Sequence, residues 1–187
     1  MANIPKKNRF SCLILSGPVS QTEAGSIGFI LTILIIVPLL MIQCSDNDEQ
    51  RQFERQAFQS PSEITETNEV GELTGNQDPD DWRIAPFFQG RVLEVHPAYP
   101  NPASTTQDIY IDITLFTEAV SSIRVFVIHE GTGPPVFLDE DRNPGMTVIL
   151  RFQAIELLRF EGETGIRRIL LLDGNDNIIS YGDILVE

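Results

Sequence analysis

Few residues of this 187-residue chain have types and spacings that could perform chemistry. The run Asp139-Glu140-Asp141 gathers three carboxylates, which are ligands that Ca²⁺ takes from proteins, so these residues are weak candidates for a metal site. The run Asp173–Asn177 carries oxygen ligands at spacings of two, as in the first half of an EF-hand loop. Its continuation places Ile178 and Ile184 where such a loop requires Gly and Glu, so this run is interpreted as a hairpin turn.

The sequence contains few residues that could support nucleophilic catalysis. The chain has two histidines, His96 and His129, and neither has a nucleophile and a carboxylate at the spacing of a known relay motif. Two cysteines, Cys12 and Cys44, precede every region with the pattern of a folded domain, and two are too few for a cysteine-rich zinc site. We expect a protein that is not an enzyme and that uses no cofactor.

The net charge of −14 is distributed unevenly. Residues 1–44 carry an excess of two positive charges, and the other 143 residues carry 26 acidic against 10 basic groups. Binding to nucleic acid depends on Lys and Arg that neutralise phosphates, so the charge excludes nucleic acid as a partner.

The segment 27–43 is a run of 17 uncharged, mostly apolar residues, near the minimum length that crosses a bilayer. Lys6, Lys7 and Arg9 precede it and acidic residues follow it, which predicts that residues 1–26 stay in the cytoplasm and that residues after Cys44 lie outside. The sequence therefore predicts either a transmembrane helix or the apolar core of a signal peptide over 27–43.

The residues Met41-Ile42-Gln43-Cys44 resemble a bacterial lipobox, in which the cysteine is lipidated and becomes the new N-terminus. Gln43 departs from that pattern, which has a small residue before the cysteine. Lipidation at Cys44 and an uncleaved anchor both remain open. Either one implies a bacterial envelope protein held at a membrane, and the resemblance does not say which membrane.

Residues 44–81 are rich in Gln, Ser, Thr and acidic residues, with 11 acids against two arginines. Such a composition buries too little apolar surface to offset the entropy of ordering, so we predict a disordered acidic linker. A short helix at 49–59 is an alternative, because Phe53, Ala57 and Phe58 fall on one face.

From Trp82 onward, short apolar runs alternate with turn signals. Residues 109–116 give the clearest period of two, with Ile109, Ile111 and Ile113 in phase. About seven such runs within residues 82–187 predict an all-β fold, an immunoglobulin-like antiparallel sandwich. Trp82, Phe87 and Phe88 precede the first run and either cover an open end of this sandwich or form an exposed recognition patch.

The motif Tyr99-Pro100-Asn101-Pro102 resembles the opening of the immunoglobulin-like C-terminal sorting domains of type IX secretion cargo, and also that of the related domain of flagellar hook-capping proteins. The similarity extends in outline over about 90 residues, and its specific part is Tyr99–Pro102. The resemblance implies the sandwich fold and a role as an export label.

The sequence thus predicts a membrane-tethered, immunoglobulin-like module outside the cytoplasm that binds an envelope or extracellular protein or glycan. A sorting domain recognised by an export machine is the alternative, and an accessory domain of an enzyme is the third.

Overall fold

The computed structural model describes residues 45–116, 120–129, 131 and 133–187, and the segment 27–43 and Cys44 lie outside this range. One α-helix, α1, spans Ser45–Ala57, and two 3₁₀ helices span Pro86–Phe88 and Ala154–Leu157. The strands of the described residues are β1 (Val92–Val95), β2 (Asp108–Leu115), β3 (Ile123–Ile128), β4 (Val136–Asp141), β5 (Thr147–Gln153), β6 (Gly165–Asp173) and β7 (Ile178–Val186).

These strands form two antiparallel sheets, one in the order β1-β2-β5 and the other in the order β4-β3-β6-β7. The prediction of an all-β sandwich is confirmed. The period of two in β2 has the predicted consequence, because Ile109, Ile111 and Ile113 are completely buried while Tyr110 and Asp112 face outward.

The core lies between the sheets and is mainly aliphatic. In the first sheet, Ile111 pairs with Leu150 and Ile113 with Val148, and all four side chains are buried. The facing side chains of the second sheet include Val125 and Leu171, which are also fully buried. Burial of this apolar surface is the main source of stability that the chain has.

The segment 45–81 is not the disordered linker that its composition predicts. Helix α1 packs on the outer side of β7, where the Phe53 ring lies 5.0 Å from the Tyr181 ring and Ala57 is completely buried. The expected shorter helix contained the right pair of apolar residues but also Phe58, which is exposed. The burial of Phe53 and Ala57 is supplemented by hydrogen bonds that Arg168 of β6 donates to the carbonyls of Gln56 and Ala57 at the end of α1.

The free edge of β7 accepts hydrogen bonds from the residues that follow this segment. Trp82 donates its amide to the Tyr181 carbonyl at 2.7 Å, and Ala85 donates to Ile179 at 2.8 Å. The Trp82 ring lies directly on Gly182, so a Cβ at that position would be 2.2 Å from the indole. The edge strand is therefore covered and is unavailable for pairing with another chain.

Among the described residues no helix has the length and apolar character needed to cross a bilayer.

The packing of α1 predicts that substitution of Phe53, within α1, and of Phe58, just after it, will change stability by different amounts. We expect Phe53→Ala to lower the free energy of unfolding of residues 42–187 by about 3 kcal/mol, because the substitution opens a cavity over Tyr181. The control Phe58→Ala should change it by less than about 0.5 kcal/mol, because that side chain is exposed. Urea denaturation measures both. Equal effects would contradict the packing of α1 on β7.

Candidate functional site

The residues Tyr99–Pro102 carry the chain from one sheet to the other. The peptide bonds Tyr99–Pro100 and Asn101–Pro102 are both cis. Tyr99 exchanges backbone hydrogen bonds with Tyr110 of β2, at 2.9 and 2.8 Å, and Ala103 forms a parallel bridge with Val186 of β7. The motif residues therefore lie together at the point where the two sheets are joined.

Asn101 is completely buried, and both ends of its side-chain amide have partners. Its Nδ2 donates to the carbonyls of Thr65 and Asp183, each at 2.9 Å, and its Oδ1 accepts the Leu185 amide at 3.0 Å. These contacts join the segment before the sandwich to β7. Asn101 thus has a structural role, since its polar side-chain atoms are engaged inside the protein.

Tyr99 lies at the surface beside this junction. Its ring stacks on that of Tyr110, with centroids 5.5 Å apart, and its hydroxyl donates to the Asp112 carboxylate at 3.1 Å. Burial and the nearby Asp112 charge raise the pKa of Tyr99. The phenol is therefore a hydrogen-bond donor and not a base at neutral pH.

A buried ion pair lies on the outer side of β6 and β7. The Arg168 guanidinium donates two hydrogen bonds to the Asp183 carboxylate, at 2.5 and 2.7 Å, and Asp183 has no exposed surface. Arg168 also donates to the Gln56 carbonyl at 2.9 Å, and its guanidinium lies 4.8 Å from the Tyr181 ring centre. One cation therefore binds a buried carboxylate and caps the C-terminus of α1.

A second buried carboxylate, Asp81, completes this cluster. Its Oδ1 accepts the Asp183 amide at 3.0 Å, and its Oδ2 accepts the Thr65 amide at 2.9 Å. Burial and the charges of Asp183 and Asp78 raise the pKa of Asp81 to about 8. Burial also raises the pKa of Asp183, although the Arg168 guanidinium acts in the opposite direction. Asp81 thus keeps a proton at neutral pH.

The carboxylates of Asp78, Asp81 and Asp183 approach one another closely enough to form a candidate metal-binding group, with oxygens within 4.8 Å. The oxygens of Asp183 are already bound to Arg168, and those of Asp81 already accept backbone amides. A cation here would compete with the Arg168 charge. The geometry favours a structural cluster that holds a proton.

In the structure the three residues of the acidic run Asp139–Asp141, the weak candidates for a metal site, each bind a neighbouring backbone or side-chain group. These residues are the last three of strand β4, where successive side chains point to opposite faces. Asp139 accepts the Arg151 amide at 3.3 Å, Glu140 pairs with Arg142 at 2.8 Å, and Asp141 accepts the Asn143 amide at 2.9 Å.

The run Asp173–Asn177 forms the turn of the β6–β7 hairpin, as its composition predicts. The Asp173 Oδ1 accepts the amides of Asn175 and Asn177, each at 2.9 Å, so this carboxylate organises the turn. These bonds hold the pKa of Asp173 below its usual value in spite of partial burial.

The two histidines lie in different surroundings, and His129 lines a pocket together with Arg168. His96 is exposed, with its Nε2 3.3 Å from Glu94. His129 follows β3, where burial and the charge of Arg167 lower its pKa. Of the aromatic residues that lie shortly before β1, Trp82 and Phe88 are buried in the core and Phe87 is exposed.

The pair formed by Arg168 and Asp183 was not predicted from the sequence. The signal was present, because each of these charges interrupts an otherwise apolar strand of one hairpin. Counting outward from the turn alone, however, places Arg168 opposite Gly182, and the register shift between Leu171 and Leu172 brings it opposite Asp183. Asp81 gave no comparable signal, since it lies in an acidic segment.

No family model matches the chain, and no curated protein matches it. Two of the solved structures that it resembles are of β-glucosidase from Listeria innocua, one in complex with glucose and one without. The identity is 11%, with TM-scores of 0.35 and 0.34, over 50% of this chain and 16% of each of those chains. The chain spans about one sixth of their length, and a likeness this distant carries no inference about activity.

The raised pKa of Asp81 predicts that stability depends on pH. The unfolded chain ionises Asp81 at its ordinary pKa of 3.8, whereas the folded protein keeps the proton until about pH 8. This contribution is fully present below the unfolded pKa and is lost as the pH rises to 8. We expect the free energy of unfolding of residues 42–187 to fall by about 2 kcal/mol between pH 6 and pH 8.

Asp81→Asn should abolish most of this slope, whatever its effect on absolute stability. The control Asp80→Asn removes the adjacent, exposed carboxylate and should leave the slope unchanged. Urea denaturation across the pH range measures each slope. A wild-type slope that survives in Asp81→Asn would show that another group takes up the proton.

Proposed function

We propose that the protein is a membrane-tethered module with an immunoglobulin-like fold, displayed outside the cytoplasm of a bacterium. Its role is to bind an envelope or extracellular protein or glycan, without an enzymatic reaction. The observation that carries this proposal is that an apolar, charge-flanked segment is followed along the chain by a folded β-sandwich.

The sequence around 27–43 supports the tether. This segment has the length of a minimal membrane span, with cations before it and acids after it, which favours an external position for the sandwich. Lipidation of Cys44 would give the same external position by another route.

The order of strands supports the immunoglobulin-like assignment. Connections from β2 to β3, from β4 to β5 and from β5 to β6 each pass from one sheet to the other. Sheets of three and four strands joined in this way are typical of immunoglobulin-like sandwiches. Domains of this architecture commonly serve as binding modules at cell surfaces.

The distribution of charged groups supports a binding role over a catalytic one. The buried Arg168 and Asp183 side chains bind each other, Asp81 accepts backbone amides, and together these bonds hold α1 and the segment after it against the sheet. Exposed apolar side chains for a partner are present elsewhere, including Ile155 and Phe160 in the connection between β5 and β6.

A sorting-type domain is the second candidate, and the motif Tyr99–Pro102 favours it. A reporter fused to such a domain should be exported and the domain then removed. The fusion should carry residues 45–187, because Asp81, Trp82 and Ala85 complete the edge of β7. Export with removal of the domain would favour this candidate over the anchored module.

Mass spectrometry of the mature N-terminus, combined with membrane fractionation, tests the tether. We expect the native protein to remain with the membrane fraction in high salt and to carry either an acylated Cys44 or an intact segment 27–43. Cys44→Ser should abolish acylation and processing if the first form is correct, and the control Cys12→Ser should leave both unchanged. A mature chain that begins after Cys44 and is released by salt would contradict the proposal.

A further inference from the structure

One end of the sandwich exposes four large apolar side chains, which we call the apolar end patch: Phe87, Leu93, Phe116 and Met146. Backbone hydrogen bonds show that these residues lie at the same end. The Phe116 amide donates to the Arg91 carbonyl at 2.8 Å, one residue before β1, and the Leu115 amide donates to the Met146 carbonyl at 2.8 Å. The patch is therefore formed by the start of β1, the end of β2 and the residues before β5.

A shallow groove of about 370 Å³ continues this surface, and its lining is mostly apolar. Leu93 and Phe116 lie on its walls together with Ile84 and Val92. The Arg91 guanidinium lies 4.6 Å from the Phe87 ring centre, so a cation accompanies the aromatic side chains. Exposed apolar residues grouped in this way, with a cation beside them, are typical of a surface that contacts another phase or another molecule.

The start of α1 lies beside the apolar end patch. The Phe87 amide donates to the Gln50 Oε1 at 3.0 Å, which fixes the first turns of α1 next to the residues before β1. Ser45 precedes Gln50 by five residues, or about 8 Å along a helix. The apolar segment 27–43 ends two residues before Ser45, which is a chain length of about 7 Å.

We infer that the apolar end patch rests in the surface of the lipid bilayer, so that the sandwich stands on the membrane by this end. The inference rests on the proposed tether, because the short connection to α1 holds the patch at the bilayer only if 27–43 or a lipid on Cys44 is inserted. Aromatic and aliphatic side chains are favourable at the interfacial level of a bilayer, and their binding increases with the apolar area that they bury. The disordered spacer expected from the sequence would have held this end far from the lipid.

The charges around α1 specify the lipid that suits this surface. Asp48 and Glu49 are exposed in the first turns of α1 and would be repelled by anionic headgroups. The apolar end patch therefore fits a zwitterionic surface best, and added phosphatidylglycerol should weaken its insertion.

The opposite end of the sandwich supplies a matched control. Phe160 lies in the connection that follows β5, beyond the residues that pair with the start of β2, and β2 is eight residues or about 26 Å long. The exposed fractions of Phe116 and Phe160 are nearly equal, at 64% and 63%. The two side chains differ in the end of the sandwich that they occupy.

Tryptophan fluorescence of the full chain in phosphatidylcholine vesicles tests the inference. Phe116→Trp and Phe160→Trp are each compared with the wild type, whose single tryptophan, Trp82, is buried and supplies the baseline. Lipids brominated on the acyl chain quench a tryptophan that enters the bilayer surface. We expect strong quenching of Trp emission in Phe116→Trp, weaker quenching when phosphatidylglycerol is added, and none above baseline in Phe160→Trp. Leu93→Trp replaces Phe116→Trp if that variant does not fold.

Flotation of the same vesicles separates the two claims. If the protein floats in high salt but Phe116→Trp and Leu93→Trp show no quenching, the tether is supported. The inference about the apolar end patch is then overturned. Quenching that is equal in Phe160→Trp also overturns it, because the sandwich would then have no fixed orientation. If two chains can be cross-linked through the apolar end patch and no quenching is seen, the patch is a contact with a second copy of the protein, and the inference is overturned. Protein that does not float refutes the tether, and the inference falls with it.

Discussion

The structure depends on how the free edge of β7 is covered. An edge strand leaves amides and carbonyls unpaired, and in this chain residues before β1 and between β1 and β2 supply their partners. Asp81, Trp82 and Ala85 bind one half of the edge, and Asn101 and Ala103 bind the other half. Because α1 and the segment after it belong to this arrangement, the folded unit includes residues that their composition assigns to a linker.

The buried charges explain why this covering is specific. Removing Arg168, Asp183 and Asp81 from water costs free energy, and the cost is offset only when every hydrogen-bonding position is filled. The proton on Asp81 reduces the repulsion between the two carboxylates, while Arg168 joins β6, β7 and the C-terminus of α1. A shift of the segment by one residue would break these bonds together. The cluster therefore fixes the register between the preceding segment and the sheet.

Prediction from the sequence was most successful where a single physical rule decided the outcome. Burial on one side of β2 follows directly from its period of two, and the β6–β7 turn follows from its Asp, Asn and Gly residues. The order of α1 was not predictable in this way, because Phe53 packs on Tyr181, more than 100 residues away in sequence. The role of Asn101 was hidden for the same reason, since its partners lie 36 to 84 residues away.

Adjacency in sequence did not identify the carboxylates that lie together in the structure. Asp139, Glu140 and Asp141 are adjacent in sequence and lie along strand β4, whereas Asp81 and Asp183 are separated by 102 residues and lie together. Composition showed an excess of carboxylates but not which of them are buried. Of the buried carboxylates among the described residues, Asp81 and Asp183 lie at the edge of β7 and Asp173 organises the β6–β7 turn.

Residue-resolved hydrogen exchange of residues 42–187 by NMR tests the covering of β7 most directly. The amides of Asp183, Leu185 and Glu187 point away from β6 and donate to Asp81, Asn101 and Ala103. The account predicts that all three exchange only on global unfolding, as slowly as the central amides of β6. Exchange at the rate of an unstructured peptide would show that the edge of β7 is open and would contradict the account.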